Sequence, residues 1–149
     1  MVAVVTTPRG IRNCNPGNIE FGPYTRGMGA SATDGRFAIF ATMADGVCAL
    51  ARLLIVYYDK PLADRIDTVR EIINRWAPSN ENDTNAYIAA VCQLCTVGPD
   101  AILNLRDFPT LYWLTVAIGE HENGHDAFTH SVSDADLDTG VRMALLWEQ

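Results

Sequence analysis

Apolar residues return at helical spacing over most of the chain. From residue 44 to 58 they occupy nearly every position, the pattern of a central helix buried on all sides. Thr68-Val-Arg-Glu71 has the form of a capping box, after which Val69, Ile72, Ile73 and Trp76 mark one helical face until Pro78 ends it. Behind the polar loop Ser79-Asn-Glu-Asn-Asp83, Asp83 is placed to cap a further helix running to Val97. Leu111, Leu114, Ala117 and Ile118 then hold the i, i+3, i+6 and i+7 positions of a helix through Glu122, with Gly124 expected as the left-handed residue after its last turn. Ser133-Asp-Ala-Asp136 opens a last helix that turns Leu137, Val141, Ala144 and Leu145 inward.

The first forty residues follow another pattern. Residues 1–8 read as a short arm, and residues 9–33 shift to Gly, Asn, Pro and Arg, with Asn15-Pro-Gly17 as a turn signal, which predicts a structured loop. Arg36-Phe-Ala-Ile-Phe40 alternates weakly and predicts a small β-ribbon with Ile19-Glu-Phe21. The expected fold is mainly α, of the α+β kind: one compact helical domain over residues 9–149 with a small loop and β-ribbon lobe at its N-terminal end.

Length and charge narrow the function. A chain of 149 residues buries about two thirds of its unfolded surface without metals or disulfides. A formal net charge of -7, with no stripe of Lys or Arg, argues against nucleic acid as a partner. The longest apolar run, from Val47 to Tyr57, is broken by Arg52 and falls short of a membrane span, while Met1-Val-Ala-Val-Val lacks the basic start and length of a signal peptide. The expectation is a product made soluble in the cytoplasm, without membrane insertion. In that compartment Cys14, Cys48, Cys92 and Cys95 read as free thiols. Cys92 and Cys95 share a helix face as small buried side chains, and a redox pair or half a zinc site would need a βαβ context or a second close pair.

The most informative chemistry is the carboxylate that the apolar helix carries out at its end. Glu122 falls at the helix's negative pole, where a charged carboxylate is disfavoured by about 0.3–1 kcal/mol, and burial beside Trp113 or Phe128 would add to this. That is a setting for a general acid. Glu20, in the Asn/Gly-rich lobe, is the rival carboxylate, while Glu81 and Asp83 read as loop and cap residues. His121-Glu-Asn-Gly-His125 matches the letters of a zinc-protease motif, which needs both imidazoles on one unbroken helix. Asn123 and Gly124 are expected to end the helix first, leaving His125 and His130 as polar loop residues. No metal or cofactor is expected.

Asn13, Asn15 and Asn18 suit the acetamido and hydroxyl groups of an amino sugar, against the alternative that they satisfy turn backbone, which for Asn15 is equally good. Arg9 and Arg12 would anchor lactyl or peptide carboxylates or pair with acidic neighbours. Trp76 and Tyr87 would form an aromatic sugar platform, although the helical period also places Trp76 in the core.

Four segments in order, Arg9-Gly-Ile-Arg-Asn-Cys-Asn-Pro-Gly-Asn-Ile19, Phe37-Ala-Ile-Phe40 leading to Gly46, Arg75-Trp-Ala-Pro-Ser-Asn-Glu-Asn-Asp-Thr-Asn-Ala-Tyr87 and Ile118-Gly-Glu-His-Glu-Asn-Gly124, resemble a phage protein family. Its members are virion structural proteins or lysins related to the lysozyme-like and lytic transglycosylase superfamily, and the resemblance spans about residues 9–144. Cys14 departs from the family's more usual Asn, and His125 stands where the family has no fixed residue. A looser similarity links the chain to bacterial N-acetylglucosaminidases, with the order of parts rotated so that Glu122 comes last.

The resemblance implies a lysozyme-like fold that cleaves the glycan strand of peptidoglycan, as muramidase or lytic transglycosylase, with Glu122 or Glu20 as the catalytic carboxylate. Arg12, Asn13, Asn15, Asn18, Trp76 and Tyr87 would hold the substrate. Action would be at the bacterial cell wall, reached at lysis or within a virion. The alternatives are a non-enzymatic virion component that keeps the fold and docks other virion proteins, and, behind it, a zinc-dependent peptidase.

Overall fold

A computed structural model describes residues 6–78 and 83–148. The expectations for residues 1–5 of the arm, for Glu81 and for the rest of the loop at 79–82 lie outside these residues. The longer helices begin where short polar side chains satisfy free backbone N–H groups. Thr42 accepts from the Asp45 N–H at 3.1 Å and starts α3 (Met43–Tyr58). Thr68 accepts from the Glu71 N–H at 3.2 Å and donates its hydroxyl to the Glu71 carboxylate at 2.9 Å, which starts α4 (Val69–Trp76). Asp83 caps α5 (Thr84–Cys95), and Ser133 caps α8 (Asp134–Leu146).

Packing follows the apolar pattern. Val47, Leu50, Leu54 and Ile55 of α3 are fully buried at the centre of the core. Helix α8 lies along α3, and α6 (Phe108–Asn123) packs against α8, α5 and α3. The result is a mainly α protein with a small β lobe.

Both ends of α6 differ from the sequence reading for local reasons, and α5 stops at Cys95, two residues short of the expected Val97. Asp107 accepts from the Thr110 N–H at 3.2 Å, and Pro109 sits in the first turn, so α6 starts three residues before the first periodic leucine. Gly124 does end α6, but at φ 85° and ψ 145° it is in a glycine-only extended region rather than the left-handed helical one. The chain therefore turns straight into α7 (His125–Ser131), a helix that the sequence pattern did not predict and whose buried anchor is Phe128.

The N-terminal lobe holds two short helices, α1 (Arg9–Arg12) and α2 (Pro23–Gly27), and a hairpin of β1 (Ala32–Thr33) and β2 (Ala38–Ile39), paired Ala32 to Ile39 and Thr33 to Ala38. The predicted ribbon is present in reduced form. Ile19–Phe21 meets residues 36–38 through a bridge of Glu20 to Phe37 and the bonds Phe21 N–H to Arg36 O and Ala38 N–H to Ile19 O, while the regular partner of β2 is β1.

Asp34 closes the hairpin. Its carboxylate accepts from the Asn13 side chain at 3.0 Å and from the Phe37 and Arg36 N–H groups, which hold its pKa down to about 2. Because this lies below the ordinary value of 3.8, the contribution of Asp34 is complete above that value and is lost as pH falls through about 2. Hydrogen exchange should therefore find the Arg36 and Phe37 amides protected down to about pH 3, and Asp34→Ala should remove that protection at neutral pH. Unchanged protection in the variant would mean that the strands alone hold the turn.

Hydrogen bonds fasten the lobe to the helices: the Tyr24 hydroxyl donates to Ala49 O of α3 at 2.6 Å, and the Asn123 amide of α6 donates to Pro16 O at 2.8 Å. Within the lobe the Phe40 N–H donates to Asn13 O at 2.9 Å. The four cysteines are unbridged. Burial pushes the Cys48 and Cys95 thiols up to about 11 and raises Cys92 as well, so these thiols stay protonated rather than reactive. Among the described residues no helix is long and apolar enough to cross a membrane.

Candidate functional site

The fastened lobe and the helices enclose a groove of about 820 Å³. Asn18, Glu20, Arg36 and Phe37 line it from the lobe, Tyr57 from α3, Arg75 and Trp76 from α4, and Glu122 from the last turn of α6. Local structure explains the placement. Asn15 is fully buried, donates to Ile19 O and Ala38 O at 2.9 Å and accepts from the Ile19 N–H at 3.1 Å. This staple folds the loop so that Asn18, at φ 48°, turns towards α6. Asn is among the few side chains that tolerate this backbone region.

The Asn18 amide donates to Glu122 Oε1 at 3.1 Å, joining residues 104 apart in sequence. Asn18 Oδ1 and the neighbouring Asn123 Oδ1 are buried without a hydrogen-bond partner. Turned by half a rotation, the same amide would offer its oxygen to a protonated Glu122, so Asn18 can serve either state of the acid. On its other side Glu122 borders a second cavity of about 470 Å³ with Asp83, Ala86, Tyr87 and His121. The Tyr87 ring stacks on His121 at 3.7 Å, and its buried hydroxyl approaches Glu122 short of a well-formed hydrogen bond. Burial first, and the charge of Glu122 second, raise the phenol's pKa well above the ordinary range.

Glu20 is exposed at the groove's rim, where Arg36 Nε donates to its carboxylate at 2.9 Å. Glu20 and Glu122 thus share one groove in different environments, one paired in the open and one half-buried beside an amide.

Glu122, Glu20, Asn18 and Trp76 are therefore brought together around one groove. Four other positions are not. Asn15 is fully enclosed and Asn13 is buried against Asp34, so both serve the loop and hairpin instead of a ligand. Arg12 is exposed at the end of α1 and does not line the groove. Tyr87 is only 2% exposed and lies behind Glu122 rather than beside Trp76, which corrects the paired aromatic platform. Arg9 takes its acidic-neighbour role, 3.2 Å from Asp34. The surroundings expected for Glu122 also differ: Trp113 is half exposed in a separate cavity with Cys95 and Val97, and Phe128 packs over Gly119.

Arg36, Phe37, Tyr57 and Arg75 line the groove without having been singled out. Arg75 immediately precedes Trp76, and that adjacency was a usable signal. Tyr57 ends an all-round apolar helix and carried none. The zinc-type letters come apart in space. His125 belongs to α7 and bonds Glu120 Oε1 through Nδ1 at 2.8 Å, while His130 Nδ1 meets Asp126 O of its own helix at 2.7 Å. Among the described residues no group of three His, Cys, Asp or Glu side chains is arranged to hold a metal ion.

Fold and groove together define a small, mainly α protein with a glutamate at the base of a cleft walled by aromatic and charged side chains. Over 126 residues, 82% of this chain and 75% of the relative, the sequence is 33% identical to Protein P5 of Pseudoalteromonas phage PM2, and the chain belongs to that bacteriophage protein family. It matches no protein-family model.

Proposed function

We propose that this phage protein binds the glycan strand of peptidoglycan in the groove and cleaves it, with Glu122 delivering a proton to the leaving glycosidic oxygen. The observation that carries the reading is the meeting of Asn18 and Glu122 at 3.1 Å within the groove, a proton donor beside a polar group suited to an amino sugar. Trp76 adds an apolar surface for a sugar face. With Glu20 held by Arg36, a route in which the substrate's own acetamido or hydroxyl group attacks asks less of this site than one that needs a second free carboxylate.

A second reading is a virion component that keeps the groove for docking and performs no chemistry. Kinship with a phage protein supports it. Purified protein mixed with peptidoglycan, with mass analysis of the soluble products, separates the readings. Anhydro-muropeptides or reducing sugars are the expected products. Free peptides would point to a peptidase, and no release would favour docking.

A further inference from the structure

The groove is lined by two carboxylates, Glu20 and Glu122, and two guanidiniums, Arg36 and Arg75, and so lacks the acidic excess of the whole protein. The chain carries a formal net charge of -7, yet Arg75 stands on the α4 wall of the groove with no carboxylate partner among the described residues. Glu20 is offset by Arg36 at 2.9 Å. Glu122, in the role proposed above, meets substrate in its protonated and uncharged form. What the groove then offers a ligand is the guanidinium of Arg75. It lies over the Tyr57 ring, 5.8 Å from the centroid, and is exposed to solvent. Even with one N–H turned towards the Tyr57 hydroxyl, the planar fork keeps donors free at its edge for a carboxylate.

We propose that Arg75 is a specificity-determining residue that takes a carboxylate carried by the glycan, so that the groove selects an acidic amino-sugar polymer over a neutral one. This rests on the glycan reading and names the feature of the substrate that the site recognises. Two sources share the chemistry: the lactyl carboxylate on the sugar itself, and the carboxylates of a peptide attached to it.

Calorimetric titration of the protein carrying Glu122→Gln, expected to slow cutting enough for strands to persist through the titration, tests this with three probes. These are chitin hexasaccharide, peptide-free peptidoglycan strands with free lactyl carboxylates, and peptide-bearing strands. Acidic strands should bind about tenfold more tightly than chitin, the effect of one exposed charge-assisted contact, and the advantage should shrink as salt rises. Arg75→Gln should erase the preference for acidic strands. Arg75→Lys should keep part of it, because charge survives and the bidentate fork does not.

A preference already present with peptide-free strands assigns the lactyl group, and one confined to peptide-bearing strands assigns the peptide. Equal binding of acidic and neutral strands, or a preference that survives Arg75→Gln, overturns the role of Arg75 and leaves the glycan reading standing. No binding to any strand removes both. Arg75 is exposed, so circular dichroism should show all variants folded.

Discussion

Glu122→Gln should cut the release of soluble glycan from peptidoglycan by roughly 10²–10⁴-fold, the usual worth of a general acid. The substitution keeps the side chain's shape and an oxygen for the Asn18 amide to donate to, 3.1 Å away in the native protein, and removes only the proton that can be transferred. Stability should hold or rise slightly, because a neutral amide suits the negative end of α6 better than a carboxylate does. Glu20→Gln, made in parallel, should leave more activity, since Glu20 is exposed at the rim and paired with Arg36. Initial rates of wall clearing on both variants, with thermal melts as the folding control, decide the matter. A fully active Glu122→Gln beside a dead Glu20→Gln would mean that the other carboxylate does the work. Two active variants would remove acid catalysis altogether.

Gly46→Ala should destabilise the protein by about 3 kcal/mol or more, through overpacking against backbone that cannot give way. A Cβ built at Gly46, in the first turns of α3, would lie 1.7 Å from the carbonyl oxygen of Cys14 and 3.0 Å from Pro16 Cδ. A flexible side chain could swing aside; the Cys14 carbonyl belongs to the loop that Asn15 staples from within. Either α3 shifts in the core or the loop lifts. The second outcome also separates Asn18 from Glu122, so cleavage should fall at temperatures where the variant is still folded. At about 2–4 °C per kcal/mol for a chain of this size, the melting temperature should drop by roughly 6–12 °C. Gly27→Ala is the control, because nothing lies within 4 Å of its added Cβ. If Gly46→Ala melts within 2 °C of the parent, roughly the span of half a kcal/mol or so, the loop does not rest on α3 as tightly as its geometry implies.

Features that depend on a few adjacent residues were legible in the sequence. The caps at Thr68, Asp83 and Ser133 each join a side chain to a backbone N–H three residues on, so a short window contains both partners. The apolar period that placed Leu111, Leu114, Ala117 and Ile118 in the core is local in the same sense, and all four are buried. The mainly α class with a small N-terminal β lobe follows from such windows. So does the break after Asn123, because glycine is the residue that a sharp change of backbone direction calls for.

What the tertiary structure alone decided is which polar side chains face a ligand. Asn13, Asn15 and Asn18 are the same residue type within six positions, and composition treats them alike. Packing of the loop on the hairpin turns Asn15 into a buried staple and Asn13 into the partner of Asp34, and leaves Asn18 for Glu122. Tyr87 and Trp76 are divided in the same way, one stacked on His121 behind the acid and the other on the groove wall. Arg75 and Tyr57 meet only because α3 and α4 are held together by the core. The physical reason is one of range: caps and amphipathic faces are fixed by neighbours in the chain, whereas the groove is fixed by contacts such as Asn18 to Glu122, 104 residues apart, which exist only once the whole core has closed.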